Sequence, residues 1–437
     1  MTTTRRSLLD LLRSSALAAA FTAAAIGALF STHLIRQLMG DAGYGAVITG
    51  LCVIGAGMLV ARRRELRAFE IMPTLLLLLL LWLLLTVFWS RSTGATLAGW
   101  LQLAAPTFLA VVVAQFRDTL QTVRATGDVL RFLLTGSLAI EILSGILLDV
   151  PVPFLGIAGN LAEGGPIQGL FGTRTMLGLV TILALITFLV EWRTRSVAPG
   201  LSVYSVSLAG LLAVFTASPI VLGMAVIAGL ATGILVIVRR TPAHRRTALQ
   251  WAITGALAIA ATLVFTFRRP LVYWLNAEPD FLTRSRLWNE VLDMAALRPV
   301  QGWGWVGTWP ENLMPYYFIR GATGRDHGSA LNAWMDVLLQ AGAVGVALFV
   351  GFAGLALARA WVTASERRST VYTWPALVII TLLADSVVTS SLLGGFGWFL
   401  LVVCATRASL VRGWRSGLDT GPESPGWRMP RRPAPGA

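Results

Sequence analysis

Residues 71–89 read IMPTLLLLLLLWLLLTVFW, nineteen positions without a charge. A helix needs about 20 such residues to cross the roughly 30 Å hydrocarbon core of a bilayer. A helix apolar on every side has no face to give to water, so this stretch predicts a membrane span. Reading outward, similar windows lie near 15–33, 44–61, 98–116, 127–148, 172–190, 201–217, 219–237, 248–267, 333–358, 372–390 and 395–411, twelve in all with the first. Of the 437 residues 56% are hydrophobic and 13% charged, and mean hydropathy is +0.72. A water-exposed surface takes about a quarter of all residues as charges, so a soluble globular protein is excluded. The expected fold is an all-α integral membrane protein, with about 12 transmembrane helices and one large extracytoplasmic loop containing an amphipathic helix.

Charge orients the spans. Counting Arg on alternate sides puts 24 with the N-terminus and ten opposite, leaving out Arg131 at a span start. Basic flanks stay in the cytoplasm, so both termini are expected inside. This also explains most of the +14 net charge without a polyanion, and no nucleic acid partner is expected. Every basic residue is Arg, and the lack of Lys with heavy Ala, Gly and Leu usage points to a GC-rich bacterial genome. Residues 1–14 have the basic flank of a secretory signal, but the apolar run continues to about Leu34, so an uncleaved first span is expected. Cys52 and Cys404 fall in apolar runs and read as small buried side chains. The organisation is therefore a cytoplasmic N-terminus over 1–14, nine spans over 15–267, a loop over 268–332, three spans over 333–411 and a disordered cytoplasmic tail over 412–437.

Function should lie in the 268–332 loop. It holds seven of the ten outer arginines and five of the sixteen tryptophans, Trp274, Trp288, Trp303, Trp305 and Trp309, a composition that argues for a folded segment. Thr283 to Leu297 reads as an amphipathic helix with Leu287, Val291 and Leu292 or Ala295 on one face, ended by Arg298-Pro299 and suited to lie on the outer membrane surface. Gly302-Trp-Gly304-Trp-Val-Gly307 matches the dinucleotide fingerprint by letter only, because it follows a proline in an external loop rather than a strand; a tight glycine turn is expected. Glu278-Pro-Asp280 is a weak candidate for a metal pair, so metal-independent chemistry is favoured. Converging guanidinium groups can stabilise a diphosphate without metal, since Arg stays charged and offers forked donors. Arg174, Arg284 and Arg286 are placed for this, although arginines in such loops also pair with lipid headgroups or with Glu163, Glu290 and Asp293. Among the histidines, His33 ends a span, His244 sits in a cytoplasmic Arg cluster, and His327 lies in the loop just before a span, where an imidazole can take a proton from a hydroxyl. Glu141 and Asp385 interrupt apolar runs, as a proton relay or as braces for a buried Arg.

Thr283-Arg284-Ser-Arg286-Leu-Trp288, then Arg298-Pro299-Val-Gln-Gly302-Trp-Gly304, then Leu331-Asn332 ahead of a span carrying Gln340-Ala-Gly342-Ala-Val-Gly345, resembles the shared core of the O-antigen ligase and O-antigen polymerase superfamily. That core reads Arg, three residues, Trp, then Pro, Gly-x-Gly, then His-Asn before a span opening Gly-x-x-Gly, and Arg174 matches an Arg in an earlier outer loop. The resemblance implies transfer of a glycan from an undecaprenyl-diphosphate carrier to an acceptor hydroxyl, on the outer face of the cytoplasmic membrane. It also implies that the reaction is inverting and uses neither metal nor cofactor. The acceptor would be a glycan or a lipid glycan, and the surrounding partners membrane lipids. The expected catalytic residues are His327 and Arg284, with Arg174, Arg286, Arg320, Arg325 and Asn332 holding the donor. One departure matters: the family's His stands immediately before the Asn, where this chain has Leu331. His327 lies four residues earlier, about 6 Å at helical rise, near enough to reach the same space. Failing that, the chain would be an inactive relative, and the alternative from another class is a transporter of polysaccharide or lipid-linked oligosaccharide.

Overall fold

The computed structural model describes residues 10–63, 72–162, 164–267 and 278–419, and among them the chain is all-α, with one isolated β-bridge between Val152 and Ile157. Each of the twelve apolar windows contains a helix among the described residues. The first nine helices are α1 (Ser15–Phe30), α2 (Thr32–Ala61), α3 (Thr74–Leu85), α4 (Thr93–Phe116), α5 (Thr119–Ile142), α6 (Arg174–Thr194), α7 (Pro199–Phe215), α8 (Pro219–Arg240) and α9 (Ala243–Thr266). Two helices of the loop follow, α10 (Glu278–Ala296) and α11 (Tyr316–Thr323), and then α12 (Ala333–Glu366), α13 (Thr373–Asp385) and α14 (Gly395–Asp419). Starts are set by side chains that accept the orphan amides of a first turn. Ser14, Ser92 and Thr173 do this for α1, α4 and α6, and Asp118 with Gln121 forms a reciprocal capping box on α5.

Among the described residues six helices, α2, α4, α5 with its π-helical extension, α6, α8 and α12, are long and apolar enough to cross a membrane; α1, α3, α7, α13 and the apolar stretch Gly395–Leu410 of α14 are shorter. Helix α8 shows what this means. Val221, Met224, Ala228, Ala231 and Leu235 are buried, while Leu222, Val226, Leu230 and Ile237 stand exposed on the outer face of the same helix. Apolar side chains on both faces suit lipid outside and protein inside. The protein is an all-α membrane protein. At the centre α12, α13 and α14 pack with α4 and α6. Buried tryptophans there find hydroxyl partners on facing helices: Trp374 Nε1 donates to Thr187 Oγ1 at 3.0 Å, and Trp398 Nε1 to Thr107 Oγ1 at 2.7 Å.

The bundle has two unlike ends. Arginines gather at one, where Arg13 Nε donates to the Ala61 carbonyl at 3.0 Å, Arg62 lies over Phe116 at 4.8 Å, Arg407 donates to Ala114 O at 3.2 Å and Arg359 to Ser409 Oγ at 3.1 Å. The other end carries the loop. Buried charge departs from expectation in one respect. Among the described residues Glu141 and Asp385 brace no arginine: Glu141 accepts the amides of Gln168 (3.0 Å) and Gly169 (2.8 Å), and Asp385 accepts the hydroxyls of Thr389 (2.5 Å) and Ser391. Each carboxylate fixes an irregular segment at the loop end, Glu141 by accepting backbone amides that have no helical partner and Asp385 by accepting side-chain hydroxyls. Arg131 is braced instead by Glu191, by Asp128 at 2.6 Å and by Ser205 Oγ at 2.8 Å. Helix α14 also runs on to Asp419 instead of stopping near 411, and residues 420–437 of the expected tail lie outside the described residues.

Candidate functional site

The loop is a folded unit. The apolar stripe of α10, Leu287, Val291 and Ala295, is buried against Trp303, Ile319 and Leu339, in a cluster that also takes in Trp309 and Tyr316. The stripe therefore meets protein, and the expectation that this helix lies on the membrane surface is corrected: Leu292 stands 43% exposed, and the outward face carries Arg286, Asn289 and Asp293. The helix is already formed at Glu278, ahead of the expected start at Thr283. Arg268, Arg269 and Trp274, and the side chains of Glu278 and Asp280, lie outside the described residues.

The glycine-rich stretch is a tight turn, with Gly302, Gly304 and Gly307 at φ of 70°, 109° and 71°. It fills a break in α12, where Gly342 takes φ 67° inside the helix. Where helical bonds are lost, loop backbone replaces them. Trp303 N donates to Leu339 O at 3.0 Å, Gly304 N to Gln340 O at 2.9 Å, and Ala343 N to Pro299 O at 2.8 Å. Gln340 then latches the turn from its side chain, with Oε1 accepting the amides of Val306 and Gly307 at 2.9 Å each and Nε2 donating to Gly307 O at 3.1 Å. Such close approach requires glycine: a Cβ on Gly342 would stand 2.2 Å from Val300 O, and one on Gly302 2.6 Å from the Gln340 backbone. Irregular backbone at membrane depth is tolerated when protein satisfies it, and here it does.

Arg284 and Trp288, one turn apart on α10, grip the start of α12. Arg284 Nη1 donates to Leu331 O at 3.2 Å and Val388 O at 2.6 Å, while Trp288 Nε1 donates to Ala330 O at 2.9 Å. Asn332 is the N-cap of α12: Oδ1 accepts the amides of Trp334 (2.9 Å) and Met335 (3.2 Å), and Nδ2 donates to Val387 O at 2.9 Å. Beneath them Asp336, 1% exposed, accepts the Ala330 amide at 3.1 Å on both oxygens and the Ser390 hydroxyl on Oδ2. In the sequence Asp336 and Gln340 are only polar residues in an apolar run, with no local signal that they serve the loop; the tertiary structure brings the loop onto them.

His327 lies in an irregular segment, not one turn of helix before Leu331, so the helical-rise argument for their equivalence fails. Leu331 sits at φ 52° with its side chain against the loop's apolar cluster. The His327 Nε2 is buried and finds no hydrogen-bond partner among the described residues. Burial and the neighbouring Arg325 push its pKa below the ordinary value of 6.5, with Asp326 opposing, so the ring is neutral near pH 7. Burial, reinforced by Asp336, pushes the Tyr316 phenol well above 10. Arg320 pairs with Glu311 at 3.4 Å and with Asp326, whereas Arg325 and Arg286 are exposed. Arg174 opens α6 at the same end, exposed, beyond Gly172, which abuts His33; no hydrogen bond or ion pair joins it to the loop among the described residues. The structure thus gathers Arg284, Asn332 and the segment carrying His327, Arg325 and Arg320 around the start of α12, and leaves Arg174 on a separate element. Compared with known proteins, the chain matches no family model and no curated protein.

Proposed function

We propose that the protein is a metal-independent membrane glycosyltransferase, which transfers or polymerises a glycan from an undecaprenyl-diphosphate carrier onto an acceptor hydroxyl. The chemistry takes place at the loop end of the bundle, on the outer face of the cytoplasmic membrane, with twelve spans and both termini inside. The observation that carries this reading is His327: a neutral imidazole with an uncommitted, buried Nε2, in a folded loop that also bears Arg286 and Arg325. In the reaction Nε2 takes the proton of the acceptor hydroxyl as its oxygen bonds to the anomeric carbon. The bond from that carbon to the diphosphate oxygen breaks, and guanidinium groups hold the departing charge. Arg174, Arg286 and Arg325 are exposed and suited to this, while Arg284, tied to two carbonyls, positions the start of α12.

Transport without chemistry would be favoured by the broken helix, since half-helix ends often bind substrate in transporters. In α12 the freed backbone groups are taken by Pro299 to Gly304 of the same chain, which favours the enzyme. The deciding experiment incubates purified protein in lipid with a synthetic undecaprenyl-diphosphate oligosaccharide and candidate acceptors in the presence of chelator. A glycosylated acceptor with released undecaprenyl diphosphate is expected; vectorial movement of intact donor without product would overturn the reading.

A further inference from the structure

At the basic end, away from the loop, a cavity of about 200 Å³ opens between the start of α3, the late turns of α12 and α14. Most of the lining is apolar, with Leu75, Phe352, Leu355 and Ala356 forming one wall, and Thr74, Arg359 and Ser409 supply its polar side chains. This is smaller than the roughly 300–1,000 Å³ of pockets that enclose a whole small molecule, and its size suits a headgroup fragment with the remainder left outside. Leu355 is 39% exposed, so the apolar wall continues onto the outer surface of the bundle.

Depth and charge narrow the occupant. Arg359 follows the start of α12 at Ala333 by 26 positions, about 39 Å at unbroken helical rise, a length that exceeds the roughly 30 Å of hydrocarbon and suits a place at headgroup level. Its Nη1 donates to Ser409 Oγ at 3.1 Å, and no carboxylate pairs with it among the described residues. Pro73 gives α3 no side-chain cap, so amides of an uncapped first turn border the same cavity. Arg13, Arg62, Arg239 and Arg407 lie at this end of the bundle, which a leaflet rich in anionic lipid would attract.

We propose that this cavity binds the phosphodiester headgroup of an anionic membrane lipid, with Arg359 as its charge partner and an acyl chain along Leu75 and Leu355. Arg359 donates to the phosphate oxygens from the nitrogens that Ser409 leaves uncommitted. The guanidinium of Arg359 attracts a headgroup of net negative charge and repels the choline ammonium, so phosphatidylglycerol binds better than phosphatidylcholine.

The test uses the full chain, delipidated in mild detergent, with lipid retention read by native mass spectrometry and folding by thermal melting. Phosphatidylglycerol is retained at least about tenfold better than phosphatidylcholine, and Arg359→Gln removes roughly that preference, as loss of a charge-assisted hydrogen bond does. Ser409→Ala deletes the internal contact but keeps the charge, and retains the lipid. Arg368→Gln, at the same end but outside the cavity lining, also retains it. Equal retention by Arg359→Gln, or no preference between the two lipids, would overturn the proposal. Displacement of the lipid by millimolar inorganic phosphate would overturn the lipid assignment in favour of a free phosphate.

Discussion

His327 and Arg284 were expected to share the chemistry, and their surroundings divide the work. His327 keeps Nε2 uncommitted, and its base role depends on staying neutral. Because its pKa is lowered, the unfolded chain binds the proton more readily than the folded one. Its contribution to stability is thus present above pH 6.5 and is lost as pH falls through the lower folded value. The acid limb of the transfer rate should lie below pH 6.5, moving up in Arg325→Gln and down in Asp326→Asn, as pH–rate profiles would show. His327→Ala should abolish transfer while labelled donor still binds. Leu331→His should not rescue it, because position 331 faces the apolar cluster and is not one helical turn from His327. Two arginines separate by their contacts. Arg284→Lys loses the hold on Leu331 and Val388 carbonyls and should cost about 1.5–3 kcal/mol of stability in thermal melting. Arg174→Lys, exposed, should melt like the wild type and lose roughly tenfold to hundredfold in transfer if its forked donors hold the diphosphate.

At the scale of elements, the join between the loop and α12 is the feature that sets the site. Helix α12 gives up its own bonds around Gly342 and takes the Pro299 to Gly304 backbone in their place, so loop and span form one packed unit. Gly342→Ala meets both a left-handed φ and a backbone oxygen at 2.2 Å, and should lower stability by at least about 3 kcal/mol. Gly354→Ala, in the same helix with nothing within 4 Å of the added carbon, should be neutral or slightly stabilising, since alanine is the better helix former. Melting of the two variants in one detergent checks this, and equal melting would show that the break is not needed. Glu191 offers a second test: Glu191→Gln should destabilise by about 1.5–3 kcal/mol, the loss of one charge-assisted bond, because Asp128 at 2.6 Å still pairs with the buried Arg131.

Across the whole molecule, sidedness is the open quantity, and the arginine end is expected to face the cytoplasm. In a chain lacking Cys52 and Cys404, an impermeant thiol reagent should label Glu311→Cys in intact cells and Arg368→Cys only after permeabilisation; the reverse pattern would invert the orientation. The all-α membrane class was legible in the sequence because runs such as residues 71–89 have no alternative: a chain that cannot cover its apolar side chains in water must place them in lipid, and there the backbone must be helical. Trp288, Trp303 and Trp309 likewise announced a folded loop, since aromatic area of that size is buried wherever it can be. Local pattern could not say where the apolar stripe of α10 would be buried, because a membrane surface and a protein surface satisfy Leu287 and Val291 equally. Nor could it show that the glycines around position 302 exist to meet Gly342, forty residues along the chain, or that Asn332 caps the start of a helix. Those are decisions about close approach between distant segments. They depend on which backbone atoms find partners across the bundle, and only the tertiary structure makes them.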